Sequence, residues 1–396
     1  MTSRIILFLA VYIAAHLFLC FSFARLFQLP KGRARIALFA GIFILGLSHI
    51  LSIVLLRIDY NAFTRALYAI TAAWTGLALN LLMTAVVCLI LSLVFSLAGK
   101  RAYTRRAALA LFTAAFLFSV YGVWNAFHPV IKTVEVDLPG LPEVWRKKTV
   151  LQITDAHLGA VYSPKHMEKM AERINSLDPD LIFITGDLFD GMSSGKLNDF
   201  VASIDSLKAK DGVFFVTGNH EGYIGLDLVF ETLSRTKVKV LRDDVAIVDG
   251  VQIIGVDYPV YGAARDVEAI VRKRPGFKDG APSILLYHTP TSIDRTSSAS
   301  FGEHQSRTYL RPKVDFTAAK SLGVKVQLSG HTHGGQIYPF VWLADYLYNG
   351  YSYGLKRDGG FSIYISSGLG TFGPPMRTGT RPEIVVVRFE DAARAE

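Results

Sequence analysis

The sequence predicts a two-part protein: an N-terminal all-α membrane bundle of four spanning helices, followed by an α/β domain of two packed β-sheets flanked by helices. The first part is predicted because apolar residues dominate the first third of the 396 residues and acidic side chains are nearly missing there. The second is predicted by short β-branched and aromatic runs that alternate with helix-like segments. We place the bundle at residues 1–128, a linker at 129–148 and the α/β domain at 149–396.

Four apolar stretches in the first part lack charged side chains and are long enough to cross a bilayer. Each reaches or exceeds the ~20 residues that a spanning helix needs. The third is long enough to tilt strongly, and the three later spans argue against a cleaved signal peptide at the first. The predicted spans are Ile5–Ala24, Ile36–Leu56, Ala66–Leu97 and Ala107–Phe127.

The basic residues of the first part predict its partner and its orientation. Residues 1–128 contain eleven Lys or Arg and the single acid Asp59, whereas the rest of the chain holds 31 bases and 32 acids. The positive charge therefore belongs to loops between spans, so we expect membrane lipids as partners and no nucleic acid. Residues 25–35 and 100–106 hold eight of the bases, and the positive-inside rule places both loops in the cytoplasm. The chain is then an integral protein of the inner or plasma membrane with an extracytoplasmic C-terminal domain.

Five less usual side chains lie in the predicted spans. Cys20 and Cys88 are the only cysteines, so the C-terminal domain has neither a disulfide scaffold nor a Cys-ligated zinc site. His16, His49 and Asn80 are polar groups in an apolar medium. Either hydrogen bonds between helices or haem ligation by the histidines would account for them.

The elements of the α/β domain follow a break at His128 and Pro129. VIKTVEVDLPGLPEVWRKK mixes charge with two prolines, which is typical of a tether. TVLQI, LIFIT and VFFV are then separated by the helix-like SPKHMEKMAERINSL and KLNDFVASIDSLK. Strands of this composition between amphipathic helices are buried on both faces. VQIIGV, SILLY, VKVQL, FSIYIS and EIVVVRF supply enough further strands for a second sheet.

Five predicted strands are followed at once by side chains that bind metal ions. The carboxyl ends of neighbouring strands open into one crevice, and residues two apart on an extended segment face the same way. Clustered His and Asp are the usual material of a metal site. The side chains are Asp155 and His157 after TVLQI, Asp187 and Asp190 after LIFIT, Asn219 and His220 after VFFV, His288 after SILLY, and His331 and His333 after VKVQL.

Three glycines directly precede candidate ligands: Gly186, Gly218 and Gly330. We expect the backbone to pass close to the metal site there, where a Cβ would be in the way. Each glycine taken alone is also typical of an ordinary turn after a strand.

Taken together, the motifs resemble those of the calcineurin-like metallophosphoesterases. DAH at 155–157, GDLFD at 186–190, GNHE at 218–221, His288 in LLYHTP and GHTH at 330–333 stand in the family's order. The resemblance covers residues 149 to 389. HGGQ, SSGLGTFGPPMR and TRPEI are most similar to the membrane-attached bacterial branch, which includes the UDP-2,3-diacylglucosamine pyrophosphatase-like enzymes of lipid A synthesis.

The resemblance implies an α/β metallophosphoesterase fold that holds two divalent metal ions. Mn, Fe, Zn and Co all suit ligands of this kind. Ions ~3.5–4 Å apart clamp a phosphate and deprotonate a shared water for in-line attack. His220, oriented by Asp190, is the implied general acid. The implied ligands are Asp155, His157, Asp187 and His333 for one ion, and Asp187, Asn219, His288 and His331 for the other.

The implied reaction is hydrolysis of a phosphoester or pyrophosphate bond by metal-bound hydroxide, and the nearby membrane leaves a lipid-linked substrate open. Arg295, Arg307 and Arg311 lie in a long polar stretch that either binds a second phosphate or headgroup or is a plain mobile loop. Glu221 either supports a ligand or is solvated. A non-catalytic membrane sensor or scaffold that keeps the metal-binding fold is the alternative, and the complete set of ligands argues against it.

Overall fold

The computed structural model describes residues 2–191, 194–259, 264–294 and 306–391. The chain divides into two compact units. The helical unit comprises Met1–Asn125 and Gly373–Thr378, and the sheet unit comprises Ala126–Phe372 and Gly379–Glu396.

Four long helices make up most of the helical unit, and all four are long and apolar enough to cross a membrane. This confirms the predicted number of spans. The Asn61 side chain caps the third helix by accepting a hydrogen bond from Thr64 N at 3.0 Å. The helices are α1 (Thr2–Leu26), α2 (Arg33–Ile58), α3 (Ala62–Leu97) and α4 (Tyr103–Ala126).

Polar side chains within the spans make hydrogen bonds inside the helical unit. His49 Nδ1 lies 3.3 Å from Thr71 Oγ1, which joins α2 to α3. Asn80 Nδ2 donates to Ser119 Oγ at 2.8 Å, which joins α3 to α4. His16 Nδ1 lies 2.9 Å from Tyr12 O in its own helix. These contacts favour the hydrogen-bonding explanation of the buried polar groups.

The helical unit also includes a segment that is distant in sequence, Gly373–Thr378. Arg377 N donates to Gly122 O, and Asn125 Nδ2 donates to Arg377 O, both at 2.8 Å. Met376 packs so close to Gly76 that a Cβ there would lie 3.0 Å from its Cε. The chain therefore returns to the spanning helices after most of the sheet unit is complete, which the sequence did not predict.

The sheet unit contains two sheets, as predicted, and each has six strands. Sheet one has the order β1-β12-β2-β3-β4-β5 and sheet two the order β10-β11-β9-β8-β7-β6. In sheet one, β2 to β5 are parallel, and in sheet two, β7, β8, β9 and β11 are parallel. The strands are β1 (Val130–Asp137), β2 (Val150–Ile153), β3 (Leu181–Thr185), β4 (Gly212–Val216), β5 (Val238–Val240), β6 (Asp244–Val248), β7 (Val251–Gly255), β8 (Ser283–Leu286), β9 (Val326–Ser329), β10 (Gly354–Asp358), β11 (Phe361–Ile365) and β12 (Glu383–Glu390).

Helices cover the outer faces of the two sheets, so that the central strands are buried on both sides. Phe183 and Phe214 of sheet one pack in one cluster with Leu328 of sheet two, which forms the core between the sheets. In α5, Met167 and Ile174 lie on one face and pack on the outer side of sheet one. The helices of this unit are α5 (Pro164–Asn175), α6 (Val201–Asp205), α7 (Asn219–Ile224), α8 (Leu226–Leu233), α9 (Val267–Arg272), α10 (Thr317–Ser321) and α11 (Phe340–Leu347).

The stretch 129–148, predicted to be a linker, is part of the folded sheet unit instead. β1 pairs in parallel with β12 along its full length. Trp145 is 1% exposed, and its Nε1 donates to Val248 O at 3.0 Å. The residues of VIKTVEVD alternate with a period of two, which is typical of a half-buried strand. The two prolines that follow this segment had favoured the prediction of a tether.

Candidate metal centre

The candidate ligands follow the carboxyl ends of five parallel strands, three in sheet one and two in sheet two. Backbone bonds hold the loops together: Asp155 N donates to Gly186 O at 3.0 Å, and Gly330 N donates to His288 O at 2.8 Å. The two sheets meet at the site, because His331 N donates to Asp155 Oδ2 at 3.0 Å. Candidate ligands from both sheets therefore converge at the carboxyl ends of their parallel strands.

One group of ligand atoms is formed by Asp155, His157 and His333, all of which are buried. His157 Nε2 and His333 Nε2 lie 3.0 Å apart, and Asp155 Oδ1 lies 3.3 Å from His333 Nε2. Two nitrogen ligands at ~2.0–2.1 Å from one ion must lie within about 4 Å of each other. The group therefore fits a divalent metal ion.

A second group is formed by Asp187, His288 and His331. His288 Nδ1 is 2.7 Å from Thr185 O and donates to it, which leaves Nε2 as the nitrogen that a metal would bind in place of a proton. That buried Nε2 lies 3.2 Å from Asp187 Oδ2 and makes no well-aligned hydrogen bond to the residues that the structure describes. Asn219 Oδ1 lies 2.9 Å from His331 Nδ1, at the edge of this group.

Asp187 lies between the two groups. Its Oδ2 is 3.2 Å from His288 Nε2 and 3.9 Å from His157 Nε2. One carboxylate thus reaches an imidazole of each group. The spacing is compatible with a shared ligand, which the family resemblance implied.

The backbone conformation of the ligands differs from the expectation. Asp155 and His157 were predicted to face the same way because they lie two apart on an extended segment. Both instead adopt a positive φ, of 51° and 46°, beyond the end of β2. The same left-handed conformation occurs at Asp187 (49°), His331 (72°) and His333 (50°). The strand-alternation argument was therefore wrong, and tight turns of costly conformation bring the side chains together.

The glycines before the ligands provide the clearance that was predicted for them. A Cβ on Gly330 would lie 2.2 Å from Asp155 Oδ2, and a Cβ on Gly218 would lie 2.2 Å from Asp187 Oδ1. A Cβ on Gly186 would lie 2.5 Å from His288 Nδ1. Each position excludes a side chain because ligand atoms occupy the space.

The electrostatics of the site favour a cation. Burial raises the pKa of Asp155 to about 6. At Asp187 burial also acts to raise the pKa, but the charges of His288, His220 and His157 hold it well below its usual range. Burial opposes protonation of His288, yet Asp187 raises its pKa to about 10. Buried carboxylates whose ionisation depends on neighbouring positive charge are the setting in which a bound metal ion stabilises a site.

Glu221 holds the turns that carry two of the ligands. Its carboxylate is fully buried and accepts hydrogen bonds from Gly218 N at 2.7 Å, Asp187 N at 3.0 Å and Phe189 N at 3.2 Å. Burial and the charge of Asp187 raise its pKa to about 7. Glu221 was expected either to support a ligand or to be solvated, and the structure favours support of a ligand. The sequence did not indicate the hydrogen bond between Glu221 and the Asp187 backbone.

His220 lies against the first group. Its Nε2 is 4.0 Å from Asp187 Oδ2, and its ring centroid is 4.5 Å from that of His157. Burial lowers the pKa of His220, and Asp187 opposes this. The Asp190 carboxylate accepts a hydrogen bond from Ala160 N at 2.8 Å. A hydrogen bond between His220 and the Asp190 backbone acts to raise the pKa of His220.

Aromatic side chains that the sequence did not single out surround the site. Tyr223 and Phe372 lie 5.2 Å and 5.8 Å from the His220 ring, centroid to centroid. Tyr309 lies 5.1 Å from His331, and its hydroxyl is 3.2 Å from that of Tyr223. Because these residues come from three separate segments of the chain, no local motif identifies them.

The structure describes the three predicted anion-binding arginines only in part. Arg295 lies outside the described residues. Arg307 belongs to a short helical turn whose backbone, but not its own side chain, is described, and Arg311 is exposed. Their role remains a prediction.

Comparison with known proteins agrees with the family that the motifs indicated. The family model for calcineurin-like phosphoesterases matches residues 148–335. A transmembrane protein with metallophosphoesterase domain from Danio rerio is 31% identical over 307 residues, which cover 73% of this chain and 63% of the relative. An uncharacterized metallophosphoesterase from Helicobacter pylori is 29% identical over 277 residues, which cover 67% of this chain and 66% of the relative. The chain thus spans less than two thirds of the length of either relative.

Among solved structures, a dimetal phosphatase from Danio rerio is 12% identical, covering 56% of this chain and 87% of that one at a TM-score of 0.33. Such a score is too low to carry weight, so the assignment depends on the family model, the relatives and the site. Residues 148–335 therefore form a calcineurin-like phosphoesterase domain, in a chain whose four apolar helices and transmembrane relatives indicate a membrane protein.

Proposed function

We propose that this chain is a membrane-anchored, dinuclear metallophosphoesterase that hydrolyses a phosphoester or pyrophosphate bond. The observation that carries the proposal is the convergence of two groups of ligand atoms on Asp187, whose Oδ2 lies within 3.9 Å of an imidazole of each group. Bound divalent ions would neutralise phosphoryl oxygens and lower the pKa of a water molecule. The residues proposed to hold them are Asp155, His157, Asp187, Asn219, His288, His331 and His333.

In this proposal the chain's own residues position the reactants and move a proton. Glu221 holds the turns of Asp187 and Gly218 through backbone hydrogen bonds, which preorganises the ligands. His220 is proposed to protonate the leaving oxygen, because it lies beside the first group and is largely buried. Asp190 is proposed to orient it through the backbone of its loop.

A phosphorylated or pyrophosphorylated lipid is among the substrates that we propose. Three residues separate the end of α4 at Ala126 from the start of β1 at Val130. Since a residue spans at most ~3.6 Å, β1 begins within about 15 Å of the end of the last span. A sheet unit joined to the last span by so short a connection suits a substrate in the membrane, and we propose that this unit faces the extracytoplasmic side.

The test is metal analysis of the purified full chain combined with a substrate panel. We expect close to two divalent ions per chain, and metal-dependent hydrolysis of at least one class among phosphomonoesters, phosphodiesters, nucleotide-linked pyrophosphates and lipid phosphates. Asp187→Asn should lower the stoichiometry at both positions, because both groups include or contact this carboxylate. Two bound ions without hydrolysis of any class would instead support the sensor or scaffold.

A further inference from the structure

Helix α11 presents large apolar side chains to the outside of the sheet unit. Trp342 is 69% exposed and Tyr346 79% exposed, and all eight residues of the helix are exposed or half-buried. A cluster of this kind on a folded domain marks an interaction surface. We define the aromatic patch as Tyr338, Phe340, Trp342, Leu343 and Tyr346.

We propose that the aromatic patch lies in the headgroup region of the bilayer and brings the metal centre to the membrane surface. The inference builds on the proposed function and adds to it a lipid-binding surface beside the site. The patch is made of the residue types that occupy membrane interfaces, since Trp and Tyr combine an apolar ring with a polar group.

The geometry of α11 suits a helix that lies in the interface. Trp342, Leu343 and Tyr346 are at spacings of one, three and four residues, so they share one face. Eight residues form a helix of about 12 Å, too short to span a bilayer. Its charged residue, Asp345, is exposed and accepts a hydrogen bond from Ser352 Oγ at 3.1 Å.

The course of the chain identifies lipid as the occupant. The first turn of α11 packs on Gly379, where a Cβ would lie 2.3 Å from Val341 Cγ2. Gly379 directly follows Gly373–Thr378, the segment that belongs to the helical unit with the four apolar helices. The base of α11 therefore contacts a residue that is bonded directly to a segment of the helical unit, which keeps the patch within reach of the same bilayer.

The patch is also connected to the metal centre. Gln336 lies three residues after His333, and its side chain makes two hydrogen bonds to Phe372: Nε2 donates to the carbonyl at 3.0 Å, and Oε1 accepts from the backbone N–H at 2.9 Å. The exposed Phe372 ring faces His220, 5.8 Å away between centroids. Gln336, two residues before Tyr338 of the patch, thus fixes the backbone of Phe372, whose apolar ring lies beside the proposed general acid. This arrangement fits an amphiphile whose phosphate enters the site from the membrane.

Fluorescence quenching tests the placement without depending on activity. The full chain is placed in phosphatidylcholine nanodiscs, with or without bromine on the upper part of one acyl chain. The signal of Trp342 is the difference between the wild type and Trp342→Phe. The control is the difference for Trp145→Phe, because Trp145 is buried in the sheet unit.

We expect bromolipid to quench at least half of the Trp342 signal and none of the Trp145 signal, while aqueous acrylamide has little effect on either. Quenching of Trp342 by acrylamide but not by bromolipid would overturn the proposal in favour of a solvated helix. Protection from both quenchers would overturn it in favour of a protein partner or a second copy of the chain.

An activity measurement separates this inference from the proposed function. Trp342→Glu combined with Tyr346→Glu should leave hydrolysis of a water-soluble aryl phosphodiester unchanged and lower hydrolysis of a lipid phosphate in nanodiscs at least tenfold. Equal rates on the lipid would contradict the role of the patch alone. If the wild type hydrolyses none of these substrates, the proposed function is contradicted, whereas the quenching result is unaffected.

Discussion

At the scale of single residues, substitution of His220 tests whether this side chain is a metal ligand or the general acid. Its Nε2 forms a third group with His157 and Asp187, so its position is compatible with either role. If His220 is the general acid, we expect His220→Asn to keep the metal content and to slow hydrolysis of substrates with poor leaving groups by ~10²–10⁴-fold. Substrates with good leaving groups should lose much less, because their leaving oxygen needs no proton.

Metal analysis and kinetics with a series of aryl leaving groups check this expectation. Equal losses across the series would contradict the general-acid role. Loss of an ion would identify His220 as a ligand instead.

Gly330 offers a test of the clearance beside the ligands. We expect Gly330→Ala to weaken metal binding by roughly 10–100-fold, because its Cβ would displace the Asp155 carboxylate. Gly360→Ala is the matched control, since Gly360 lies in the same unit with open space around its Cβ position. Metal titration of both variants is the measurement. Similar affinities would show that the ligand loop moves aside without cost.

His166 connects a single side chain to stability at low pH. Burial, with the charge of Lys169, lowers the pKa of His166 from 6.5 to about 4. The folded chain therefore excludes a proton that the unfolded chain binds, so the contribution of His166 to stability is complete above pH 6.5 and is lost as the pH falls toward 4. His166→Gln should reduce the loss of stability between pH 7 and pH 5 by about 2 kcal/mol. Thermal unfolding at both pH values measures this, and identical losses in variant and wild type would contradict it.

At the scale of elements, substitutions in residues 129–148 test whether this stretch is a folded part of the sheet unit or a tether. We expect Trp145→Ala to destabilise the sheet unit by about 3–5 kcal/mol, because it leaves a cavity and removes the bond to Val248. Val144→Ala, at a half-exposed neighbour in the same turn, should change stability by less than about 0.5 kcal/mol. Chemical unfolding followed in the full chain compares the two. If neither variant changes the free energy of unfolding, residues 129–148 are a tether and not a folded part of the sheet unit.

The elements also show which kinds of pattern predict structure. The strands β2, β3, β4, β8 and β9 are short, mainly apolar runs, and each was predicted because burial on both faces leaves a local mark in composition. The strands β1, β5, β6 and β10 lie at or near sheet edges and are mixed in composition. Such strands are stabilised by their pairing partners, and pairing between distant residues leaves little trace in a short window.

At the scale of the whole molecule, the distribution of basic residues predicts the orientation. In a background of Cys20→Ala and Cys88→Ala, a membrane-impermeant maleimide applied to intact cells should label Lys237→Cys and not Lys100→Cys. Lys237 belongs to the sheet unit with a side chain 76% exposed, and Lys100 lies in the third loop. Labelling of both after permeabilisation is the control, and the reverse pattern in intact cells would place the sheet unit in the cytoplasm.

Local sequence was sufficient for the class of this protein. Spanning helices require about 20 apolar residues in a row, and buried strands require short apolar runs, so both could be predicted without knowing any contact. The order of the five ligand motifs likewise indicated the family. Each apolar run and each single motif is complete within one short stretch of the chain.

The geometry of the site depends instead on residues that are far apart in sequence. The positive φ at Asp155 and His157, the bonds from Glu221 to the Asp187 loop and the return of Gly373–Thr378 to the spanning helices all arise from packing between distant segments. A backbone conformation that costs energy locally persists only where the surrounding fold compensates for it. For this reason the chain's motifs indicated which side chains could bind metal, and the folded chain established how they meet.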